Sequence, residues 1–206
     1  MSPPTQAESR TAIVRVCQRL YAAGLIAGQD GNVSVRLPGD QILVTPAGRS
    51  KVDVTSADLV VLGLDGRVVS GGAPSSEVGV HLEIYAGRPD VGAVVHAHPV
   101  TATGFAVAGE TLPSHVLPEL EYSVGAVALV PYERPGSTAL AQAFRPFLAG
   151  HNAWLMANHG AVTAGATLEQ AHQRMESVEH AARIVLAARA VGRVNPLPEG
   201  RGHTGE

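Results

Sequence analysis

At Ser75 the hydrophobic period of the chain changes, and that change limits the folds open to it. Before it, short runs alternate apolar and polar residues and turn back on themselves. "NVSVRL" and "QILVTP" read as two strands joined by a "PGD" turn, and "DLVVLGLDGRVVSG" reads as a hairpin with "DG" at its tip. After it, helical and strand patterns take turns. "PSSEVGVHLEIYAGRP" reads as a helix opened by serines, with Leu82 and Tyr85 among its apolar positions. "VGAVVHAH" is strand-like and Pro99 ends it. "TATGFAVAG" reads as a short helix, "VGAVALVPY" as a strand and "STALAQAFRPFLAG" as a helix. "NAWLMAN" and "GAVTAG" read as strands meeting at "HG", and residues 167–192 as the longest helix. At the start, Ile13, Val16, Cys17, Leu20 and Tyr21 give residues 8–27 a helical period, with Ser9 or Thr11 as cap and Gly28 as end. Hairpins followed by alternating elements predict one α/β domain, with a largely antiparallel sheet and helices packed around it.

Composition agrees and excludes several classes. The 206 residues fit one domain over 8–192, with flexible termini at 1–7 and from Asn195 to 206. Apolar residues make up 45% but aromatics only 4%, so Val, Ala and Leu must build the core. A net charge of -3 with no basic stripe argues against a nucleic-acid partner. No run is apolar and long enough for a membrane span, and "MSPPTQAESR" has no signal core, so the expected location is the cytoplasm. The single cysteine, Cys17, falls in an apolar helical stripe and reads as packing.

The chemistry concentrates in "VVHAHPV". On a strand, His96 and His98 point to one face while Val95 and Ala97 point to the other. Two imidazoles at adjacent same-side positions can share a cation, and a catalytic metal usually has three protein ligands and an open position. His159 in "MANHGAV" is the best third candidate, with Gly160 permitting an unusual backbone angle at the turn. The other histidines fit less well. His81 reads as helix packing near the site, and His172 and His180 lie with Glu176 on the long helix. His151 sits in a polar loop, His203 in the tail, and His115 is unassigned. Glu77, at a helix start just before the His-X-His strand, could coordinate the metal or serve as acid/base. Ser75 and Ser76 with the helix-start N–H groups could hold an anion. "DGNVS" and "TPAGRSK" add glycine turns and the donors Asn32, Gly48 and Lys51.

Together, "GNVSVR", "ILVTPAG", the run from Pro74 to Pro99, "NHGAVTAG" and the long helix resemble the class II aldolase/adducin family over roughly residues 8–190. The resemblance implies an α/β/α sandwich around a mixed, mainly antiparallel sheet. It implies one zinc per chain on His96, His98 and His159, with Glu77 as acid/base and possible fourth ligand. A phosphate pocket from Asn32, Gly48, Ser75 and Ser76, shaped by Gly31, is also implied, as is a cyclic homotetramer. The implied activity is a retro-aldol cleavage of a ketose 1-phosphate to dihydroxyacetone phosphate and a short aldehyde. The chain departs from the family pattern in three places. The tyrosine after the His-X-His segment would fall near Val116–Leu117, with Tyr122 a few residues later. Ala47 replaces a phosphate-loop threonine, and the tail has no aromatic residue. The alternatives are a related sugar-phosphate epimerase, dehydratase or decarboxylase, and an adducin-like binding module without catalysis. "PSSE" rather than "PSSD" disfavours the epimerase, and the full set of histidines with Glu77 disfavours the module.

Overall fold

The computed structural model describes residues 4–198. The chain opens with α1 (Gln6–Ala22). Its cap is Thr5, neither Ser9 nor Thr11. The Thr5 hydroxyl accepts from the Glu8 N–H and the Glu8 carboxylate accepts from the Thr5 N–H, a capping box set ahead of the apolar stripe. Two hairpins follow: β1 (Asn32–Leu37) with β2 (Gln41–Val44), then β3 (Val60–Gly63) with β4 (Val68–Ser70). The alternating half contributes α2 (Val78–Gly87), β5 (Ala93–Ala97), α3 (Val100–Val107), α4 (Pro118–Ser123) and β6 (Val127–Val130). Then come α5 (Thr138–Ala143), β7 (Ala153–Met156), β8 (Gly160–Gly165) and α6 (Leu168–Val191). Helix α4 has no counterpart in the sequence reading; Pro118 at its first turn favours it. Of the tail expected to be flexible, residues 199–206, His203 included, lie outside the described residues.

The strands form one sheet in the order β4-β3-β2-β1-β5-β8-β7-β6. Every neighbouring pair is antiparallel except β6 with β7. The period-two pattern divides the core. Val33, Val35, Val95 and Ala97 face a cluster with α1, α3, α4 and α6, where Cys17 is fully buried. Val44, Val94, Trp154 and Val162 face a second cluster with α2 and α5. The fold is therefore a three-layered α/β/α sandwich with a mixed, mainly antiparallel sheet. On β1 the second face carries Asn32 and Ser34 in place of apolar residues, and that polar break is where the site lies. Among the described residues, no helix is long and apolar enough to cross a membrane.

Candidate metal centre and its cleft

His96 lies on β5, in register with Asn32 of β1 on one side and Val162 of β8 on the other. His98 follows one residue past the strand, and its N–H donates to the Leu25 carbonyl. His159 comes from the turn between β7 and β8. That turn works differently from the expectation. Asn158, not Gly160, takes the left-handed conformation (φ 56°). Gly160 is needed for space: a Cβ there would lie 2.6 Å from His98 Cδ2 and 2.7 Å from the Ala97 carbonyl oxygen. The glycine lets the turn close onto the His-X-His segment. As a result, His96, His98 and His159 each offer a nitrogen within 4.8 Å of the others.

The hydrogen bonds around the three rings test whether a cation fits. Nδ1 of His96 faces the Ala161 carbonyl at 2.9 Å, while its Nε2 faces Glu77 Oε2 at 3.1 Å. Both ring nitrogens thus meet acceptors, which a neutral imidazole with one proton cannot satisfy. Nδ1 of His98 faces the Asp30 carboxylate at 3.3 Å, and its Nε2 lies 3.2 Å from Nε2 of His96. His159 Nε2 lies 3.0 Å from Glu77 Oε1. A carbonyl and a carboxylate holding Nδ1–H leave the Nε2 lone pairs of His96 and His98 aimed at a common point, the arrangement of oriented metal ligands. Burial, then the neighbouring His96 charge, lowers His98 to about 4 against the opposing Asp30, so its ring is neutral and available as a ligand near pH 7. The donor set fits a divalent cation.

Glu77 is the N-cap residue of α2, but its side chain caps nothing in that helix and turns to the histidines. Burial alone would raise its carboxyl. Hydrogen bonds from His159 and His96, and their charges, outweigh burial and hold it well below the usual carboxylate range.

A cleft of about 250 Å³ opens in front of the centre. Gly31, Asn32, Gly48, Ser75 and Ser76 all line it, with Glu77, His98 and His159 on its inner side. At Gly31 (φ 73°) a Cβ would lie 2.8 Å from the His96 carbonyl oxygen, so the first loop can pass this close only as glycine. The loops carrying Gly48 and Ser75 are fastened together by the Ala47 N–H to the Ala73 carbonyl and the Ser75 N–H to the Thr45 carbonyl. The expected free N–H groups at the helix start are partly used within the turn. The Val78 N–H donates to the Ser75 carbonyl, and the Glu77 N–H reaches Ser75 Oγ at 3.4 Å. Two lining residues carry more than the sequence reading gave them. Asp30 orients His98, and Lys51 is buried at the wall with Nζ donating to the Gln29 and Arg49 carbonyls. Their signal was their place in the same glycine-bearing loops.

Three other described histidines lie outside the centre. His172 is buried between α6 and α1 near Glu176 and Arg19, His115 pairs with Glu121, and His151 sits half-buried in its loop. Tyr122, on α4, does not line this cleft.

A three-layered sandwich with a trihistidine centre at the end of one inner strand defines a class, and the chain belongs to it. The class II aldolase and adducin N-terminal domain family matches residues 11–186. Among individual proteins, the chain is 34% identical over 180 residues to a 3-oxo-tetronate 4-phosphate decarboxylase of Escherichia coli (strain K12), covering 85% of each chain. It is 33% identical over 174 residues to an L-fuculose phosphate aldolase of Methanococcus maripaludis, covering 84% of this chain and 94% of that one. The crystal structure of YgbL from Klebsiella pneumoniae, described as a candidate aldolase, epimerase or decarboxylase, superposes with a TM-score of 0.89 at 32% identity. That match covers 96% of this chain and 97% of YgbL.

Proposed function

We propose that the chain is a zinc-dependent aldolase that cleaves a ketose 1-phosphate of the fuculose 1-phosphate type to dihydroxyacetone phosphate and a short aldehyde. The observation that carries this reading is the position of Glu77, with one oxygen 3.1 Å from His96, the other 3.0 Å from His159, and an anion-sized cleft beside it. His96, His98 and His159 would hold the cation, with Glu77 as a possible fourth donor before substrate enters. When bound, the cation supplies a Lewis acid for the substrate carbonyl and its neighbouring hydroxyl.

The chain's own residues do the rest. Gly31, Asn32, Gly48, Ser75 and Ser76 receive the phosphate, through the Asn32 amide and the two serine hydroxyls as donors. Lys51 spends two of its three N–H bonds on backbone carbonyls and keeps one, with its charge, for the anion. Anchoring the phosphate places the reacting carbons beside Glu77, so binding energy remote from the chemistry positions it. Cleavage frees the proton of the C4 hydroxyl; Glu77, ionised at rest, takes up a proton and passes it to the carbon that loses its partner, so the proton count balances.

A second reading is favoured by the 34% identity to the 3-oxo-tetronate 4-phosphate decarboxylase. The two reactions converge chemically. Breaking C3–C4 of a ketose 1-phosphate, or losing carbon dioxide from a 3-oxo-tetronate 4-phosphate, leaves the same enediolate of dihydroxyacetone phosphate. One proton placed by Glu77 completes either. The proposal includes a cytoplasmic homotetramer with one zinc per chain; a sedimentation mass of a single chain would reject the tetramer.

The test is release of dihydroxyacetone phosphate by zinc-loaded protein from fuculose 1-phosphate, a deoxypentulose 1-phosphate and 3-oxo-tetronate 4-phosphate, with and without chelator. Chelator-sensitive release together with an aldehyde is the expected result. Release together with carbon dioxide alone moves the assignment to the decarboxylase, and no release from any of the three rejects both.

A further inference from the structure

Behind the centre, away from the cleft, runs a chain of buried polar side chains that the proposed chemistry does not use. Asn32 and Ser34 are two apart on β1 and share a face of the sheet. His81 and Tyr85 are four apart on α2 and share a face of the helix. The two pairs meet: Asn32, Ser34, His81 and Tyr85 are each 2% exposed or less. Asn32 Nδ2 donates to Glu77 Oε2 at 3.3 Å, and Asn32 Oδ1 pairs with His81 Nε2. His81 Nδ1 pairs with Ser34 Oγ at 2.6 Å, and Ser34 Oγ with the Tyr85 hydroxyl at 2.9 Å. Arg36, the next residue on that face of β1, stacks over the Tyr85 ring at 4.8 Å and donates to the Tyr85 carbonyl, closing the far end.

The direction of every bond follows from one end. An ionised Glu77 only accepts, so Asn32 must present its amide nitrogen to it. Asn32 Oδ1 then faces His81, so His81 must carry its proton on Nε2. His81 Nδ1 is left as an acceptor, so the Ser34 hydroxyl donates to it, and the Tyr85 hydroxyl donates to Ser34. Val80, Leu140, Met156 and Val162 wall the same spot and leave no room for a water molecule. Water therefore cannot take over a missing partner. Burial, then the charge of His96, lowers His81 to about 3 against the opposing Glu77, which keeps its ring neutral.

We propose that His81 is a positioning residue: its Nε2–H fixes which way the Asn32 amide faces, and through Asn32 it sets the orientation of Glu77. A flipped Asn32 would point its oxygen at the Glu77 carboxylate and would offer the cleft an acceptor in place of a donor. Both effects oppose the chemistry assigned to Glu77 and the cleft, and the inference rests on that assignment for its consequence but not for its geometry.

The geometry is tested on the full chain, without substrate, by long-range ¹⁵N–¹H correlation spectra of the histidine rings at pH 7, with His81→Gln to assign the signal. A neutral His81 ring with the proton on Nε2 is expected. A proton on Nδ1, or a doubly protonated ring, overturns the proposal even if no substrate has been found. The consequence is tested by kinetics. His81→Leu should keep its zinc and lose about 10–100-fold in kcat/KM, the usual scale for a group that orients a ligand or base. His81→Gln, whose amide can still donate, should recover most of it. Should the leucine variant not fold, Ser34→Ala should keep the Nε2–H tautomer, which Glu77 and Asn32 set from the other end, with only a small kinetic loss. Equal losses in the leucine and glutamine variants, or a proton moved to Nδ1 in Ser34→Ala, would overturn the positioning role.

Discussion

Replacing His96, His98 or His159 by alanine removes one of three imidazoles whose nitrogens lie within 4.8 Å of each other. Each variant should fall from about one zinc per chain to a small fraction, read by elemental analysis after dialysis; full occupancy in all three would reject the ligand set. Glu77→Gln preserves shape and removes the ionisable oxygen. It should keep the fold and phosphate binding and lose turnover by ~10²-fold or more. Near-normal turnover would remove Glu77 from the proton transfer. Both sets of residues are legible in the sequence because metal and acid/base chemistry use few residue types at short spacings. His81 is not legible in the same way. As a helix residue near the site it reads as packing, and its role depends on a strand residue 49 positions away.

At the scale of elements, α3 starts two residues after His98, and its start is held from α6. The buried Glu179 carboxylate accepts from the Thr101 N–H at 3.0 Å and the Ala102 N–H at 2.9 Å, and Arg183 donates to it at 2.7 Å. Glu179→Ala would leave two backbone donors, one half-buried and one buried, without a partner at the helix start, a cost of about 1–3 kcal/mol. It should also weaken zinc binding, because His98 sits on the segment that α3 anchors. Urea denaturation and chelator competition would measure the two effects, and an unchanged midpoint would show that α3 holds without this contact. The strands were readable from period two, and α2, α5 and α6 from the helical period. The cap at Thr5 was not, because a capping box lies outside the apolar stripe that marks the helix. Helix α4 was hidden in "LPSHVLPELEYS", where six residues carry too short a pattern to separate helix from loop.

For the molecule as a whole, the buried chain behind the centre couples stability to pH. His81 in the folded state titrates near 3, against about 6.5 for an unfolded histidine. Between those values the unfolded chain binds the extra proton, so stability falls as pH falls below about 6.5 and the loss is complete near 3. At pH 4.5 that difference is worth on the order of a few kcal/mol. Glu77 acts in the same direction only in the lower part of that range, because its depressed carboxyl keeps its stabilisation down to the ordinary carboxylate value near 4.5 and loses it beneath. Metal-free protein should therefore show a chemical-denaturation midpoint that declines from pH 6.5 to 4.5, and His81→Gln should flatten that decline. An identical slope in the variant would show that other groups carry the acid sensitivity.

The sequence alone determined most of the order of elements, the two faces of the sheet, and which three histidines and carboxylate could form a metal centre. These are local or periodic properties: side chains two apart share a strand face, and turn residues announce themselves by type. The tertiary structure alone decided what joins them. It set Asn32 opposite His96 on the neighbouring strand, assigned the tight spot to Gly160 and the left-handed backbone to Asn158, and brought His81 and Tyr85 onto Asn32 and Ser34. Those facts depend on strand register and on the packing of helix against sheet, which are fixed by contacts between residues far apart in the chain.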